Sequence, residues 1–133
     1  MPDLIRVVSF GYLYTSRPGA NLIFDVRDRF ADPYDDPNLR RLSGLHPSVF
    51  APVHQDPRAT AFIEKVAGLA MLLAQDSHGT LPLTVAFGDR AGHHLSVVLA
   101  RMLVSHIRQA GYASHATHLD LTQSLPPRDA TQD

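Results

Sequence analysis

The amino-acid sequence predicts an α/β fold: a single layered domain with a mixed or mostly parallel sheet of about four strands flanked by helices. Short apolar runs of β-forming residues alternate with segments of helical periodicity. A helical segment joins the most apolar strand to the next strand, which is the connection that parallel strands need. With 133 residues, of which 44% are hydrophobic, the chain is long enough to bury one core.

Composition argues against several functional classes. The formal net charge of −1 gives no general attraction for nucleic acid or an anionic membrane, so any anion must be bound by locally placed groups. The absence of cysteine excludes disulfides, thiolate catalysis and cysteine zinc sites. No apolar run approaches the roughly 20 residues of a membrane span, and the first residues do not begin a secretory signal. We therefore expect a cytoplasmic protein with no membrane partner.

The first two strands are predicted at residues 5–12 and 22–27, separated by turn-forming residues 15–20. Asp25 and Arg27 come at the end of the second strand. Because residues two apart on a strand point to the same face, these opposite charges are expected to emerge together. Two interpretations stay open: a solvated ion pair, or a carboxylate and a guanidinium that bind one polar ligand.

Residues 31–57 contain five prolines, and the residue before each proline is disfavoured in a helix. This segment is predicted to be mostly extended loop, with a short helical turn around Pro37 to Leu42. A loop of this length is usually functional.

Two helices and a last strand follow. Asp56 and Pro57 suit the start of a helix, which residues 76–80 end with a glycine. Its predicted buried face consists of Phe62, Ile63, Val66, Leu69, Ala70, Leu72 and Leu73. The second helix begins at Leu95. Its apolar stripe contains Val97, Ala100, Val104 and Ile107, and its polar side contains Arg101, Ser105 and Arg108. The last strand is predicted at residues 113–121. Residues 1–122 are expected to form the domain and residues 123–133 a flexible tail.

The stretch from Leu81 to Ile107 carries the functional prediction. A strand at residues 81–87 leads into a loop at residues 88–94 and then into the second helix. This order directs unpaired backbone N–H groups and the positive end of the helix dipole into the loop, which makes a site for phosphate, sulfate or carboxylate. The loop matches no complete Walker or dinucleotide motif, so its glycines could instead serve only the turn. If their strands are parallel neighbours, this loop, Asp25 and Arg27 converge on one pocket.

The histidines allow a metal-binding interpretation, because zinc binds imidazole readily. His93 is adjacent to His94, and His115 lies three residues before His118. Adjacent histidines usually point apart, and no cysteine or HExxH pattern accompanies them. We therefore expect polar loop and strand residues and no metal site.

Four motifs, taken in order, resemble the C-terminal domain of the RapZ (YvcJ-like) RNase adapter family. They are SFGY at 9–12, FDVR at 24–27, DPNLR at 36–40 with SGL at 43–45, and VAFG at 85–88 followed by Gly92, His94, Ser96 and Val97. The similarity covers about residues 5 to 121. The family also has an N-terminal Walker-type half, but the GxxxxGK[ST] pattern does not occur here. The resemblance therefore implies a stand-alone version of the C-terminal half.

What the resemblance implies about function is specific. In that family the C-terminal domain senses glucosamine-6-phosphate, binds a small regulatory RNA and delivers the RNA to a ribonuclease. The implied ligand-binding residues here are Asp25, Arg27, Gly88, Asp89, Arg90, Ala91, Gly92, His93, His94 and Ser96. No catalytic residue, metal or cofactor is implied. The implied partners are a small phosphorylated metabolite, RNA, a protein that carries a nucleotide-binding domain, and further copies of the chain.

The loop departs from the family pattern GCTGGxHRS at four positions. Asp89 replaces the cysteine, Arg90 the threonine, Ala91 the first glycine of the pair and Leu95 the arginine. The cysteine and arginine of a cysteine phosphatase are thus both missing. A phosphate-accepting role for Asp89 has no identified magnesium partner. Its charge also repels phosphate unless Arg90 offsets it.

RNA binding has weaker support in the sequence. The last strand has His118-Leu119-Asp120-Leu121 where the family has His-Arg-Asp-Leu, and Lys65 is the one lysine beside eleven scattered arginines. Phosphate neutralisation needs clustered cations, which only an oligomer would assemble, from Arg27, Arg29, Arg40 and Arg41. We therefore expect a non-catalytic binding or regulatory domain for a small phosphorylated metabolite such as glucosamine-6-phosphate. The alternative is an RNA- or protein-binding adapter with a vestigial or altered pocket.

Overall fold

The computed structural model describes residues 5–30, 32–76 and 82–123 and confirms the α/β fold. Four parallel strands form one sheet in the order β2-β3-β1-β4. The strands are β1 (Ile5–Gly11), β2 (Leu22–Asp25), β3 (Leu83–Asp89) and β4 (Ser114–His118). The helices are α1 (Pro47–His54), α2 (Pro57–Asp76) and α3 (Leu95–Gln109), with a 3-10 turn at Pro33–Asp35. The predicted tail at 124–133 lies outside the described residues.

The order of the strands fixes which face of the sheet each connection crosses. The steps from β2 to β3 and from β3 to β4 run in one direction along the sheet, whereas the step from β1 to β2 runs in the other. Because crossovers between parallel strands are right-handed, the two directions require opposite faces. The helical connections therefore share one face, where α2 and α3 pack together, and residues 12–21 cross β3 on the other face.

The core lies between the sheet and the helices. Ile5 and Val7 of β1 and Val85 and Phe87 of β3 are fully buried there. The first two turns of α3 are buried on all sides, since every residue from Leu95 to Ala100 is buried. Further along α3, Ser105 and Arg108 are exposed, as the predicted polar side requires.

The prediction of an extended loop at 31–57 is wrong for its last part, because α1 forms there. Pro47 occupies the first helical position, where no N–H is needed, and Nδ1 of His46 accepts a hydrogen bond from the Ser48 N–H at 3.1 Å. Pro52 removes one backbone donor inside the helix, yet Val49 and Val53 bury the face that packs inward. Around the predicted helical turn, residues 37–41 form turns in which the Leu39 N–H donates to the Asp36 carbonyl oxygen and the Leu42 N–H to the Leu39 carbonyl oxygen.

Strand boundaries also differ from the prediction. β3 extends through Gly88 and Asp89, because both residues still pair with the end of β1. β2 ends at Asp25 and β4 at His118, so both are shorter than predicted. The predicted strand residue Leu81 lies outside the described part of the chain. The loop between β3 and α3 is therefore only five residues long, which leaves little room for an open cavity.

Helix α2 begins at the predicted Pro57 but has a different buried face. Leu69 is 42% exposed and Leu72 is 62% exposed, although both were predicted to be buried. The buried residues are Ala59, Ile63, Val66, Ala67, Ala70 and Ala74. Small side chains allow α2 to approach α3 and the sheet closely, so the buried face is set by the alanines rather than by the leucines.

None of the helices in the described part of the chain combines the length and the apolar character that crossing a bilayer requires.

We predict opposite effects of alanine at two glycines. A Cβ on Gly11 would lie 2.5 Å from both the Ala91 carbonyl oxygen and the Gly92 nitrogen, so Gly11→Ala should lower the free energy of unfolding by roughly 2 kcal/mol or more. Gly68, in the middle of α2, has no such neighbour within 4 Å, so Gly68→Ala should raise that free energy by roughly 0.5–1 kcal/mol.

Chemical denaturation of both variants checks this prediction. Equal effects of the two substitutions would contradict the close packing of the β3–α3 loop against the end of β1.

Candidate functional site

The predicted site residues gather at the carboxyl edge of the sheet. β2 and β3 are parallel neighbours, Asp25 pairs with Gly88, and the Val26 N–H donates to the Gly88 carbonyl oxygen at 2.9 Å. The strand-end charges and the β3–α3 loop therefore lie side by side, which is the arrangement that convergence on one pocket requires. This edge is where parallel α/β sheets usually bind ligands.

Asp25 and Arg27 form an ion pair, although not in the predicted way. Nε of Arg27 donates to Oδ1 of Asp25 at 3.0 Å, and Nη2 of Arg27 donates to Oδ2 at 2.6 Å. Arg27 lies in a turn after β2, so the charges meet through the turn and not through side-chain alternation on the strand. The hydrogen bonds from Arg27 hold the pKa of the Asp25 carboxyl below its ordinary value.

The ion pair is accessible to a ligand. The side chains of Arg27 and Asp25 are 45% and 47% exposed. The Arg27 guanidinium also lies 4.1 Å from the centre of the Tyr12 ring, a distance suited to a cation–π contact. Burial and the nearby Asp25 charge raise the pKa of the Tyr12 hydroxyl. Tyr12 was not among the predicted site residues, because the sequence does not reveal that the segment after β1 crosses toward β2.

A cleft of about 290 Å³ opens beside Asp25. Arg29 lies on its rim, and its charge further lowers the pKa of Asp25. Phe24, Phe30 and Phe62 line the apolar part of the cleft. The rings of Phe30 and Phe62 are 5.2 Å apart, and those of Phe24 and Phe62 are 5.5 Å apart. Sequence reasoning missed this aromatic cluster, because Phe62 belongs to α2 and lies more than thirty residues away along the chain.

The turn beside this cleft has an unusual backbone. Asp28 has a φ of 61° and Phe30 a φ of 51°. Aspartate tolerates the left-handed region, but a bulky aromatic residue adopts it rarely and at a cost of roughly 1–3 kcal/mol. Such strain is typical of segments that position ligand-binding groups.

The β3–α3 loop is folded around the side chain of Asp89. The Asp89 carboxylate is 3% exposed and accepts a hydrogen bond from the Ser96 N–H at 2.9 Å. A second N–H, that of Gly92, donates to the other carboxylate oxygen. These N–H groups lie at the start of α3, where the helix dipole also favours negative charge. The Asp89 carboxylate therefore occupies the N–H groups on which the predicted anion site depends.

The hydroxyl of Ser96, in the first turn of α3 beside this loop, has no hydrogen-bond partner among the described residues. The Ser96 side chain is fully buried, and within the described residues its Oγ makes no hydrogen bond. An unpaired buried hydroxyl is uncommon in folded proteins.

The remaining loop residues are mostly buried. Nε2 of His93 lies 2.9 Å from the Asp120 carbonyl oxygen, and Nε2 of His94 lies 2.9 Å from the Arg40 carbonyl oxygen. Ala91 is 1% exposed and Gly92 has a φ of 78°, whereas Arg90 is partly exposed. Among the predicted residues, Asp25, Arg27 and Arg90 thus face solvent, while Gly88 and the rest of the loop form a buried support.

Asp120 is a further residue of this edge that was not among the predicted site residues. Its Oδ2 accepts hydrogen bonds from the Gly11 N–H and the Thr15 hydroxyl, both at 2.8 Å. Asp120 is 4% exposed. Its contacts join the ends of β1 and β4 to the β3–α3 loop, because its carbonyl oxygen also contacts His93. In the sequence, Asp120 stood out only within residues 118–121, where the resembling family has His-Arg-Asp-Leu.

Within residues 5–30, 32–76 and 82–123, no group of three or more His, Asp or Glu side chains is arranged to hold a metal ion. The rings of His93 and His94 are 6.2 Å apart and turn toward different partners. The structure does not bring the predicted histidine pairs together into one ligand set.

The comparisons with known proteins identify one family. The family model described as the RapZ C-terminal domain matches residues 4–122. A nucleotide-binding protein of Rhodospirillum rubrum is 37% identical over 126 residues, which are 92% of this chain and 39% of that protein. Nucleotide-binding proteins of Solibacter usitatus and Oceanobacillus iheyensis are 31% and 37% identical, over 91% and 88% of this chain and 38% and 40% of their own lengths. The chain thus spans about two fifths of the length of these relatives.

The burial of His94 predicts that stability depends on pH. Desolvation lowers the pKa of His94 below the ordinary 6.5, with the Asp89 charge partly opposing this shift. Below about pH 6.5 the unfolded chain therefore binds more protons than the folded chain, so stability falls as the pH decreases. In His94→Gln the slope of stability against pH should decrease by up to about 1.4 kcal/mol per pH unit, which corresponds to one proton.

Urea denaturation between pH 5 and pH 7.5 measures this slope. The exposed His115 provides the control variant, His115→Gln. An unchanged slope in His94→Gln would show that His94 is not a buried neutral group.

Proposed function

This chain belongs to the RapZ C-terminal domain family, and on that premise we propose that it is a non-catalytic binding domain for a small phosphorylated metabolite. The ligand binds at the carboxyl edge of the sheet, in the cleft beside Asp25. The observation that carries this proposal is the exposed Asp25–Arg27 ion pair next to an aromatic cleft with Arg29 on its rim.

The charges at this edge suit a ligand that has both a cationic and an anionic group. Asp25 offers a carboxylate to an ammonium or a hydroxyl group, while Arg27 and Arg29 offer guanidinium groups to a phosphate. Exposed ion pairs contribute little to stability, so exchanging the internal pair for ligand contacts costs little. An amino-sugar phosphate such as glucosamine-6-phosphate has the required pair of charges.

The shape of the cleft suits a ligand of that size. Its volume of about 290 Å³ is close to the lower end of the range for small-molecule pockets. The rings of Phe24, Phe30 and Phe62 provide an apolar surface for the carbon face of a sugar ring. The strained turn at Asp28 and Phe30 positions the rim residue Arg29 between them.

The β3–α3 loop has a supporting role in this proposal. Because Asp89 already binds the N–H groups of Gly92 and Ser96, the phosphate is held by the arginines and not by the loop. The buried loop residues fix the end of β3, against which Asp25 is paired. Arg90 is the loop residue that reaches the surface and adds positive charge there.

The buried carboxylate of Asp89 also favours a second function. If Asp89 replaced the ligand of an ancestral anion site, the pocket is vestigial and the domain acts as an RNA- or protein-binding adapter. The names of the relatives describe nucleotide binding, and those proteins are more than twice as long as this chain. A partner protein with a nucleotide-binding domain fits this second function.

Calorimetric titration tests the proposed function. We expect saturable binding of glucosamine-6-phosphate, with weaker binding of glucose-6-phosphate, glucosamine and inorganic phosphate, because each comparator lacks at least one of the required groups. Arg27→Ala and Arg29→Ala should each weaken binding by about tenfold or more, since each removes a charged donor.

The chain offers a matched control. Arg58 forms the same type of pair with Asp56, with Nη2 of Arg58 at 3.1 Å from Oδ2 of Asp56, but this pair lies at the start of α2. Arg58→Ala should leave the affinity unchanged. Equal losses in all three variants would contradict the proposed site, and no heat with any compound would favour the adapter function.

A further inference from the structure

We propose that the exposed edge of β4 binds an extended acidic segment of another polypeptide, which adds a strand to the sheet and places its acidic side chains in the groove between β4 and α3. This surface lies apart from the cleft beside Asp25, because β4 and β2 are at opposite edges of the sheet. It is therefore independent of the proposed metabolite site.

Among the described residues, the outer side of β4 pairs with no other strand, although the Ser114 carbonyl oxygen accepts a hydrogen bond from Nε of Arg108. The Ile5 N–H donates to the Ala113 carbonyl oxygen, and the Leu119 N–H donates to the Ser9 carbonyl oxygen. Odd-numbered residues of β4 therefore direct their backbone groups toward β1, and even-numbered residues direct theirs outward. Ala116, in the middle of the strand, presents both an N–H and a C=O outward. Alternating donors and acceptors of this kind are what a peptide strand recognises.

The groove next to this edge is basic. Its lining includes Arg101 and Arg108 of α3 and His115 of β4, and it contains no acidic residue among the described ones. Val104 and Ala116 provide an apolar floor. A strand with acidic side chains at alternate positions matches this combination of charge, apolar floor and unpaired backbone.

Both guanidinium groups are already held in place. Nη1 of Arg101 donates to the Gly44 carbonyl oxygen at 2.6 Å, and its Cζ lies 4.2 Å from the centre of the Phe50 ring. Nε of Arg108 donates to the Ser114 carbonyl oxygen at 2.7 Å, and its two Nη groups make no hydrogen bond within the described residues, so they can bind a ligand. Preorganised side chains lose little conformational entropy on binding, so these arginines are suited to recognition.

The charges favour an acidic polypeptide over two other occupants. A second copy of this chain, paired through β4, would bring its own basic groove, with Arg108 and His115, against the basic groove of the first copy. Like charges of the arginines oppose that contact. RNA phosphates would satisfy the arginines but not the alternating N–H and C=O groups of Ala116. A peptide strand satisfies both.

The test uses two labelled peptides, acetyl-TEVEVET-amide and its lysine counterpart acetyl-TKVKVKT-amide, and fluorescence anisotropy at low ionic strength. We expect saturable binding of the glutamate peptide alone, weakened about tenfold by Arg108→Gln. Ala116→Pro should also abolish binding, since proline is tolerated at an outward N–H of an edge strand but cannot donate. Arg58→Gln, which makes the same charge change at the start of α2, should leave the affinity unchanged.

Amide hydrogen exchange in the unmodified protein provides a readout that does not depend on the folding of a variant. The glutamate peptide should slow exchange of the Ala116 N–H at least about tenfold, because that group becomes hydrogen-bonded. Binding that leaves this amide unprotected would overturn strand addition. The proposal would also fail if an eight-nucleotide oligouridylate bound with the same dependence on Arg108 while the glutamate peptide did not bind.

Discussion

The structure at the carboxyl edge of the sheet depends on the hydrogen bonds that the Asp89 carboxylate accepts. This carboxylate joins the last residue of β3 to the following loop through the N–H of Gly92 and to the first turn of α3 through the N–H of Ser96. A charged acceptor at a helix N-terminus is favoured both by hydrogen bonding and by the helix dipole. The loop can therefore be short and buried, and the ends of β1 and β4 pack against it through Gly11 and Asp120. The same interaction removes from solvent the N–H groups that would otherwise bind an anion.

This arrangement divides the carboxyl edge into two parts. The buried part is held by internal hydrogen bonds, with the Ser96 hydroxyl unpaired among the described residues, whereas the part around Asp25 is exposed, charged and bordered by a strained turn. Parallel strand order places the two parts side by side, because β2 pairs with β3. In the function we propose, the β3–α3 loop is a support, and the ligand is recognised by the neighbouring ion pair and cleft.

The sequence predicted the fold and most elements, because apolar periodicity, helix-start residues and turn residues act locally. It failed for α1, where a proline-rich composition hid a helix that Pro47 begins and that buried valines stabilise. It also predicted that Asp25, Arg27 and the loop lie close together, but it did not predict which other side chains pack around them. Tyr12, Phe62 and Asp120 come from three distant segments, and only the packing of the sheet brings them to this edge. The internal role of Asp89 was equally hidden, because the residue type does not reveal which backbone groups it binds.

The most direct test of this account follows the amide resonances of Gly92 and Ser96 by NMR during titration with inorganic phosphate, in the unmodified protein and in Asp89→Ser. The account predicts no saturable shift of these two amides in the unmodified protein, since the carboxylate occupies their donors. It predicts a saturable shift in the variant, where the donors and the Ser96 hydroxyl become available. Saturable shifts at both amides in the unmodified protein would contradict it, because the loop itself would then be the anion site.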